Sequence, residues 1–360
     1  MSITITSTPD ALAERIFNSA LGALDVLAIH VGSELGWYAA LAEHGSATAD
    51  ELAAATGTNS RYAREWLEHQ AVGGLLEVDD VAADAEDRRY SLPDAHAEVL
   101  LNRDSLAYVA PIARLLAAAA KLMPDFVHAY RTGGGVPWTA FGPEGREAQA
   151  ALTKPLYTHV FGQEWLPTLP DVHEKLTAGG RVADVACGAG WSSIGIATAY
   201  PNARVDGYDV DAASIDLARA NAEAAGVADR VTFHVRDVAD GPALGRDYDL
   251  VCVLEALHDM ARPVEALTFM RSLAGEDGTV LVMDERVAET FTVPGDEMER
   301  LFYGFSLFCC LPTGMAEAPS AETGTVMRPD TLRDYVRAAG FADAEVLDIE
   351  HPQFRLYRLV

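Results

Sequence analysis

The chain has 360 residues, 49% of them hydrophobic, enough for two domains of ordinary size, each with its own core. Fifty-four acidic side chains stand against 27 basic ones, a formal net charge of −27. A surface this acidic repels nucleic-acid backbones and anionic lipid, so no nucleic acid and no membrane are expected as partners, while a cationic ligand is tolerated. The opening MSITITSTPD lacks the basic-then-apolar order of a secretory leader. The four cysteines, Cys187, Cys252, Cys309 and Cys310, lack CxxC spacing. Reduced thiols in a cytoplasmic protein without a metal are therefore expected. The most apolar long stretch, residues 105–123, carries Arg114 and Lys121 and reads as a buried helix rather than a membrane span.

Residues 11–44 repeat Leu12, Ile16, Ala20, Leu24, Leu27, Val31 and Leu35 at helical spacing, which predicts one or two amphipathic helices. A small domain can scarcely bury such a stripe alone, so a homodimer is expected. Thr48 and Glu51 form a capping box that opens a short helix. Gly57 ends it, and Asn59 can cap a second helix carrying Tyr62, Trp66 and Leu67. Gly73–Gly74 stop that helix, Leu75–Val78 reads as a strand, and RRYSL reads as its hairpin partner. Helix, turn, helix and hairpin make the winged-helix pattern, expected over residues 1–100. Its common use is DNA binding. Here those residues hold 5 Arg, no Lys and 17 Asp or Glu, a net of −12, which Arg61 and Arg64 do not outweigh. Dimerisation and covering an active site are the favoured uses. A regulator that binds DNA and senses a cofactor is the alternative.

Residues 101–160 are mostly helical and broken by RTGGGVPWTAFGPEG. With Trp138 and Phe141 exposed in it, this stretch is either a linker or a loop that touches substrate. From residue 181 strands and helices alternate, which predicts a mostly parallel sheet over residues 161–360. The chain closes with a two-strand hairpin interrupted by His351–Pro352.

The first of these strands runs into VADVACGAGW, residues 182–191. A glycine turn after a first strand lets a ligand lie against bare backbone. Dinucleotides want a third glycine, and here that place is Ser193. Three successive strands end in acids, Asp184, Asp209 and Asp237. Asp209 can accept two ribose hydroxyls and Asp237 an adenine amine, while an acid before the glycines suits a cation. The set fits adenosine joined to an ammonium and a sulfonium.

These segments, DVACGAG, GYDVD, RDVAD and the closing hairpin, resemble the class I S-adenosylmethionine-dependent methyltransferases over residues 160–360. The family loop more often has Gly where this chain has Ala186. The resemblance implies an α/β, Rossmann-like sheet with a C-terminal β-hairpin, preceded by a mainly helical winged-helix domain. It implies S-adenosylmethionine as cofactor and S-adenosylhomocysteine as product. The cofactor residues would be Asp184, Ala186, Gly188, Gly190, Asp209, Val210, Asp237, Val238, Glu255 and Trp165.

The layout is similar to small-molecule O-methyltransferases and to uncharacterised actinobacterial methyltransferases. In the former group LHDW carries the catalytic base. The match here is Leu257–His258–Asp259, with Met260 in place of Trp, and Asp284, beside Glu285, matches the acid that orients the base. His258 would thus accept the proton of a small, largely apolar or aromatic acceptor, with His159 as the next candidate. N- or C-methylation and non-methylating chemistry are variants on this scaffold. Trp138, Phe141, Phe302, Tyr303 and His159 would line the acceptor. EMERLFYGFSLFCCLPTGM is apolar enough for two buried faces. Its Cys309–Cys310 pair suggests a soft ligand, but a third thiolate is missing.

Overall fold

The computed structural model describes residues 8–241 and 247–360, so the first seven residues, read above for a leader, lie outside the described ones. The chain divides into two compact units after Ala118. Residues 119–160 of the segment between the expected domains therefore belong to the second unit.

In the first unit α1 (Pro9–Glu34) begins at Thr8, whose hydroxyl accepts from the Ala11 amide. After α2 (Trp37–His44), α3 (Ala49–Thr56) starts with both bonds of the Thr48–Glu51 capping box in place. Asn59 caps α4 (Ser60–Val72) by accepting from the Arg61 and Tyr62 amides. The wing is shorter than its sequence suggests. β1 (Glu77–Val78) and β2 (Tyr90–Ser91) pair antiparallel over two residues, because the Leu75 and Leu76 amides turn back to the Gln70 carbonyl at the end of α4. α5 (Asp94–Leu101) completes the unit.

Trp37, Tyr38, Leu41, Leu52, Leu67 and Tyr90 fill the core, joined by Trp66, whose indole N–H donates to the Ala28 carbonyl at 2.8 Å. The stripe on α1 stays outside this core. Leu12, Ile16, Leu24, Leu27 and Val31 are all exposed, and only Gly32 of the helix is buried. Among the described residues α1, not residues 105–123, is the helix long and apolar enough by length and composition to cross a membrane. The latter stretch forms α6 (Pro111–Lys121), which buries Ala113, Leu115, Ala118 and Ala119.

The second unit opens with α7 (Met123–Thr132), α8 (Gly142–Pro155), a wide π-type helix over Leu156–Trp165, and α9 (Pro170–Thr177). Then come β3 (Arg181–Val185), α10 (Trp191–Ala199), β4 (Arg204–Asp209), α11 (Ala212–Ala224), β5 (Val231–Val235) and β6 (Tyr248–Leu254). α12 (Pro263–Leu273), β7 (Ala274–Glu285), α13 (Glu297–Phe305), α14 (Leu311–Gly314) and α15 (Pro329–Ala338) follow, with β8 (Ala344–Val346) and β9 (Phe354–Leu359) as the closing hairpin.

The sheet order is β5-β4-β3-β6-β7-β9-β8, parallel except for β9, which runs antiparallel to both neighbours. Alternation along the strands builds two cores. Val182, Leu250 and Cys252 face α10 and α11, while Ala183, Val251 and Val253 face α12 and α15. The strand order reverses between β3 and β6, and at such a switch point the carboxyl ends of the strands open a crevice.

Candidate active site

The crevice begins at the turn from β3 to α10. Ala186, Gly188 and Gly190 all have left-handed backbones, with φ of 56°, 52° and 80°. Ala186 holds the conformation that favours glycine, a strain that concentrates at functional sites. A Cβ on Gly190 would stand 2.6 Å from the Phe233 ring, so the close packing of turn on sheet requires glycine there. A Cβ on Gly188 would meet nothing within 4 Å. That bare backbone faces open space, as a cradle for a ligand should.

Asp209, at the end of β4, fastens this turn. Its carboxylate accepts from the Gly188 and Asp211 amides at 2.8 Å each, and burial raises its pKa despite those bonds. Each oxygen retains a second lone pair. Val210 beside it is 63% exposed. Asp237 is paired with Arg262 at 2.7 Å and accepts from the Ala239 amide, a partnership with no sequence signal. Val238 is buried in the core beside Tyr208.

Two expected cofactor residues lie elsewhere. Asp184 is 1% exposed, and the hydroxyls of Ser192 and Ser193 each donate to its Oδ2 at 2.6 Å. It anchors the start of α10 from beneath and does not face the crevice as an acid awaiting a cation. Burial pushes its pKa up to about 6, against the two serine bonds. Trp165 is a core residue, edge-on to Phe161 and His351, because the wide helix that carries it turns that ring inward. The same helix supplies Tyr157, which the sequence reading missed. Its hydroxyl donates to Glu255 Oε2 at 2.9 Å. Glu255 follows β6 with φ of 56°, a second strained position across the crevice from Ala186. Burial raises its pKa to about 7.

His258 sits on the short turn Leu257–Asp259 after β6 and is 2% exposed. β6 and β7 are parallel neighbours, with Leu254 opposite Met283, and this register brings Asp284 under the imidazole. Nδ1–H donates to Asp284 Oδ1 at 2.8 Å, since a carboxylate can only accept. Glu285 Oε2 at 3.0 Å from Nδ1 and Asp259 Oδ1 at 3.2 Å from Nε2 are at ion-pair distance but outside hydrogen-bond geometry. Burial favours the neutral ring, yet the charges of Asp284, Glu285 and Asp259 outweigh it and hold His258 well above the ordinary histidine range. Asp284 is held below the ordinary carboxylate range, with burial opposed by the His258 charge, while burial and Asp284 drive Glu285 well up. His159 is exposed, and no hydrogen bond or ion pair joins it to His258 among the described residues.

Residues 176–304 match the family model described as a methyltransferase domain, and residues 22–103 match the Rv2258c-like winged HTH domain. The chain carries a methyltransferase domain behind a winged-helix domain. An 85-residue stretch is 36% identical to 27-O-demethylrifamycin SV methyltransferase of Amycolatopsis mediterranei, covering 24% of this chain and 31% of that one. Another, of 88 residues, is 36% identical to a release factor glutamine methyltransferase of Chlorobaculum tepidum, covering 22% and 30%. These matches span under a third of each curated relative. Their names share the transferred group and differ in the acceptor. Human N-acetylserotonin methyltransferase, solved with SAM, superposes with a TM-score of 0.71 at 18% identity over 99% of both chains. The mitomycin 7-O-methyltransferase MmcR superposes at 0.69 and 21%, over 97% of this chain and 98% of that one. At such identities the likeness shows the fold: a class I methyltransferase sheet with a winged-helix domain before it.

Within the methyltransferase unit the expected acceptor residues divide. Phe141 and Phe302 are core residues. Phe141 packs on Phe126 and Trp138, and Phe126 on Phe308, with ring centroids 5.2–6.2 Å apart. Trp138 is half-buried and Tyr303 is exposed, its hydroxyl 3.3 Å from the Arg328 guanidinium. The apolar run buries one stripe, Phe302, Ser306 and Cys310 at four-residue spacing, and leaves Leu301, Tyr303, Leu307 and Phe308 exposed. One face is thus buried where the composition suggested two.

Proposed function

We propose that the protein is an S-adenosylmethionine-dependent O-methyltransferase for a small, largely apolar or aromatic acceptor, with His258 as general base. The observation that carries the reading is the His258–Asp284 hydrogen bond at the carboxyl edge of β6 and β7. When bound, the cofactor supplies a methyl group made electrophilic by its sulfonium. The open backbone at Gly188 fits such a ligand. Asp209 would hold its ribose, with Val210 against its base, Asp237 near the base's amine, and the Tyr157–Glu255 pair towards its methionine end. Asp284 fixes the Nδ1–H tautomer, so Nε2 is the nitrogen that accepts the acceptor's proton. The carboxylates around His258 make it a stronger base than a free imidazole and smaller in neutral fraction near pH 7. Transfer to candidate phenols, read as S-adenosylhomocysteine by mass spectrometry in wild type and His258→Ala, tests the reading. Undiminished transfer in the variant removes His258 as base.

The proposal extends to a homodimer through the exposed apolar face of α1, which the winged-helix unit leaves uncovered. A DNA-binding role is not favoured. On α4, Arg61 pairs with Glu65 and Arg64 with Glu86, so both cations are neutralised within the unit.

A further inference from the structure

Cys310 closes the wide turn Ser306–Cys310, fifty-one residues beyond Asp259 in the chain, and the fold returns it to the turn after β6. His258, Asp259 and Cys310 each offer one ligand atom, and these atoms lie within 4.8 Å of one another. Asp284 occupies Nδ1, which leaves Nε2 facing Asp259. A carboxylate behind a histidine in this way fixes tautomer and ring orientation at metal centres. Asp259 Oδ1 is itself buried and without a hydrogen-bond partner. It stands 3.2 Å from Nε2 at a poor hydrogen-bond angle. Two ligands held tetrahedrally by one zinc ion at about 2.0–2.2 Å are about 3.3 Å apart, so the spacing is that of neighbouring ligands on a shared cation.

We propose that His258 Nε2, Asp259 Oδ1 and Cys310 Sγ form a binding site for a borderline-soft divalent cation of the zinc class. The sulfur disfavours magnesium and calcium, and three protein ligands leave a fourth position for water or an acceptor atom. The other group of donors, His258, Asp284 and Glu285, converges on Nδ1, where the 2.8 Å contact is an ordinary hydrogen bond. The assignment does not rest on methyl transfer. It has one consequence for it: a cation on Nε2 occupies the lone pair a base would use, so metal binding and proton acceptance exclude each other.

The test is Co²⁺ titration of the full chain after chelator treatment, read by absorption. One equivalent should bring a thiolate-to-cobalt charge-transfer band with the intense visible bands of tetrahedral cobalt, and Zn²⁺ should abolish both. Cys310→Ser should lose the charge-transfer band and Cys309→Ser should keep it. Asp259→Asn, at a partly exposed position, should weaken cobalt binding about tenfold or more. No charge-transfer band at one equivalent, or a band that survives in Cys310→Ser, overturns the site. Unchanged affinity in Asp259→Asn does the same even where the cysteine variant fails to fold.

Discussion

Two buried aspartates near strand ends, Asp184 in β3 and Asp284 in β7, are 1% and 2% exposed, yet their charges are managed in opposite ways. Asp184 meets two serine hydroxyls, and its pKa rises to about 6 because neutral donors only partly offset desolvation. Asp284 meets an imidazolium, and its pKa falls. The carboxylate beside neutral partners serves the backbone by pinning α10, whereas the one beside the histidine orients that ring and raises its pKa. The chemistry of a buried acid thus follows from its partner rather than its depth.

The sharpest way to break this contrast is to remove the cation. His258→Ala should lower methyl transfer by about 10²–10⁴ while cofactor affinity, measured by calorimetry, holds. Asp284→Asn should fall less, because the base remains and only its orientation and charge support are lost. Equal losses in the two variants would make Asp284 a full partner in the reaction.

Asp209→Ala should weaken S-adenosylmethionine binding about 100-fold or more, since charge-assisted bonds of about 1.5–3 kcal/mol each disappear. The Gly188 amide also loses its anchor, so the loss should exceed that of Asp237→Ala, whose acid is already paired with Arg262. Calorimetry showing the reverse order would exchange their roles.

Asp184→Asn tests the other half of the comparison. Its folded pKa near 6 lies above the unfolded value of about 3.9, so the fold favours the protonated acid. The stabilising contribution is full below pH ~4 and is lost as pH rises to about 6, a change of about 3 kcal/mol at 1.36 per unit. The neutral amide escapes this loss. Urea unfolding at pH 4 to 7 should therefore show the variant gaining on wild type up to about pH 6. A constant gap would mean that Asp184 titrates alike in the folded and unfolded chain and that burial does not raise its pKa.

The smallest effect on chemistry concerns α1. Leu24→Asp with Leu27→Asp should convert a dimer to a monomer in light scattering, with the fold of each unit intact. A wild type that is already monomeric at micromolar concentration removes the dimer proposal.

The capping box at Thr48–Glu51, the Asn59 cap, the glycine turn and the alternation of strands and helices were all legible in the sequence. Each depends on residues within a few positions of one another, where hydrogen-bond reach and side-chain periodicity leave little choice. The pairing of His258 with an acid after the fifth parallel strand was legible too, through the resemblance of the two short segments that carry them. Only the tertiary structure decided what those acids do. Asp184 turned beneath α10, Trp165 turned into the core, and Arg262 closed on Asp237, because packing against distant elements sets where a side chain points. The raised pKa of His258 arises from Asp284 and Glu285 at the end of β7 and Asp259 on the turn after β6, and Cys310 reaches the same place from the distant turn Ser306–Cys310. Charges and ligands that converge from segments tens of residues apart leave no periodic signal in a sequence, and their effect depends on distance and burial, which only the folded chain defines.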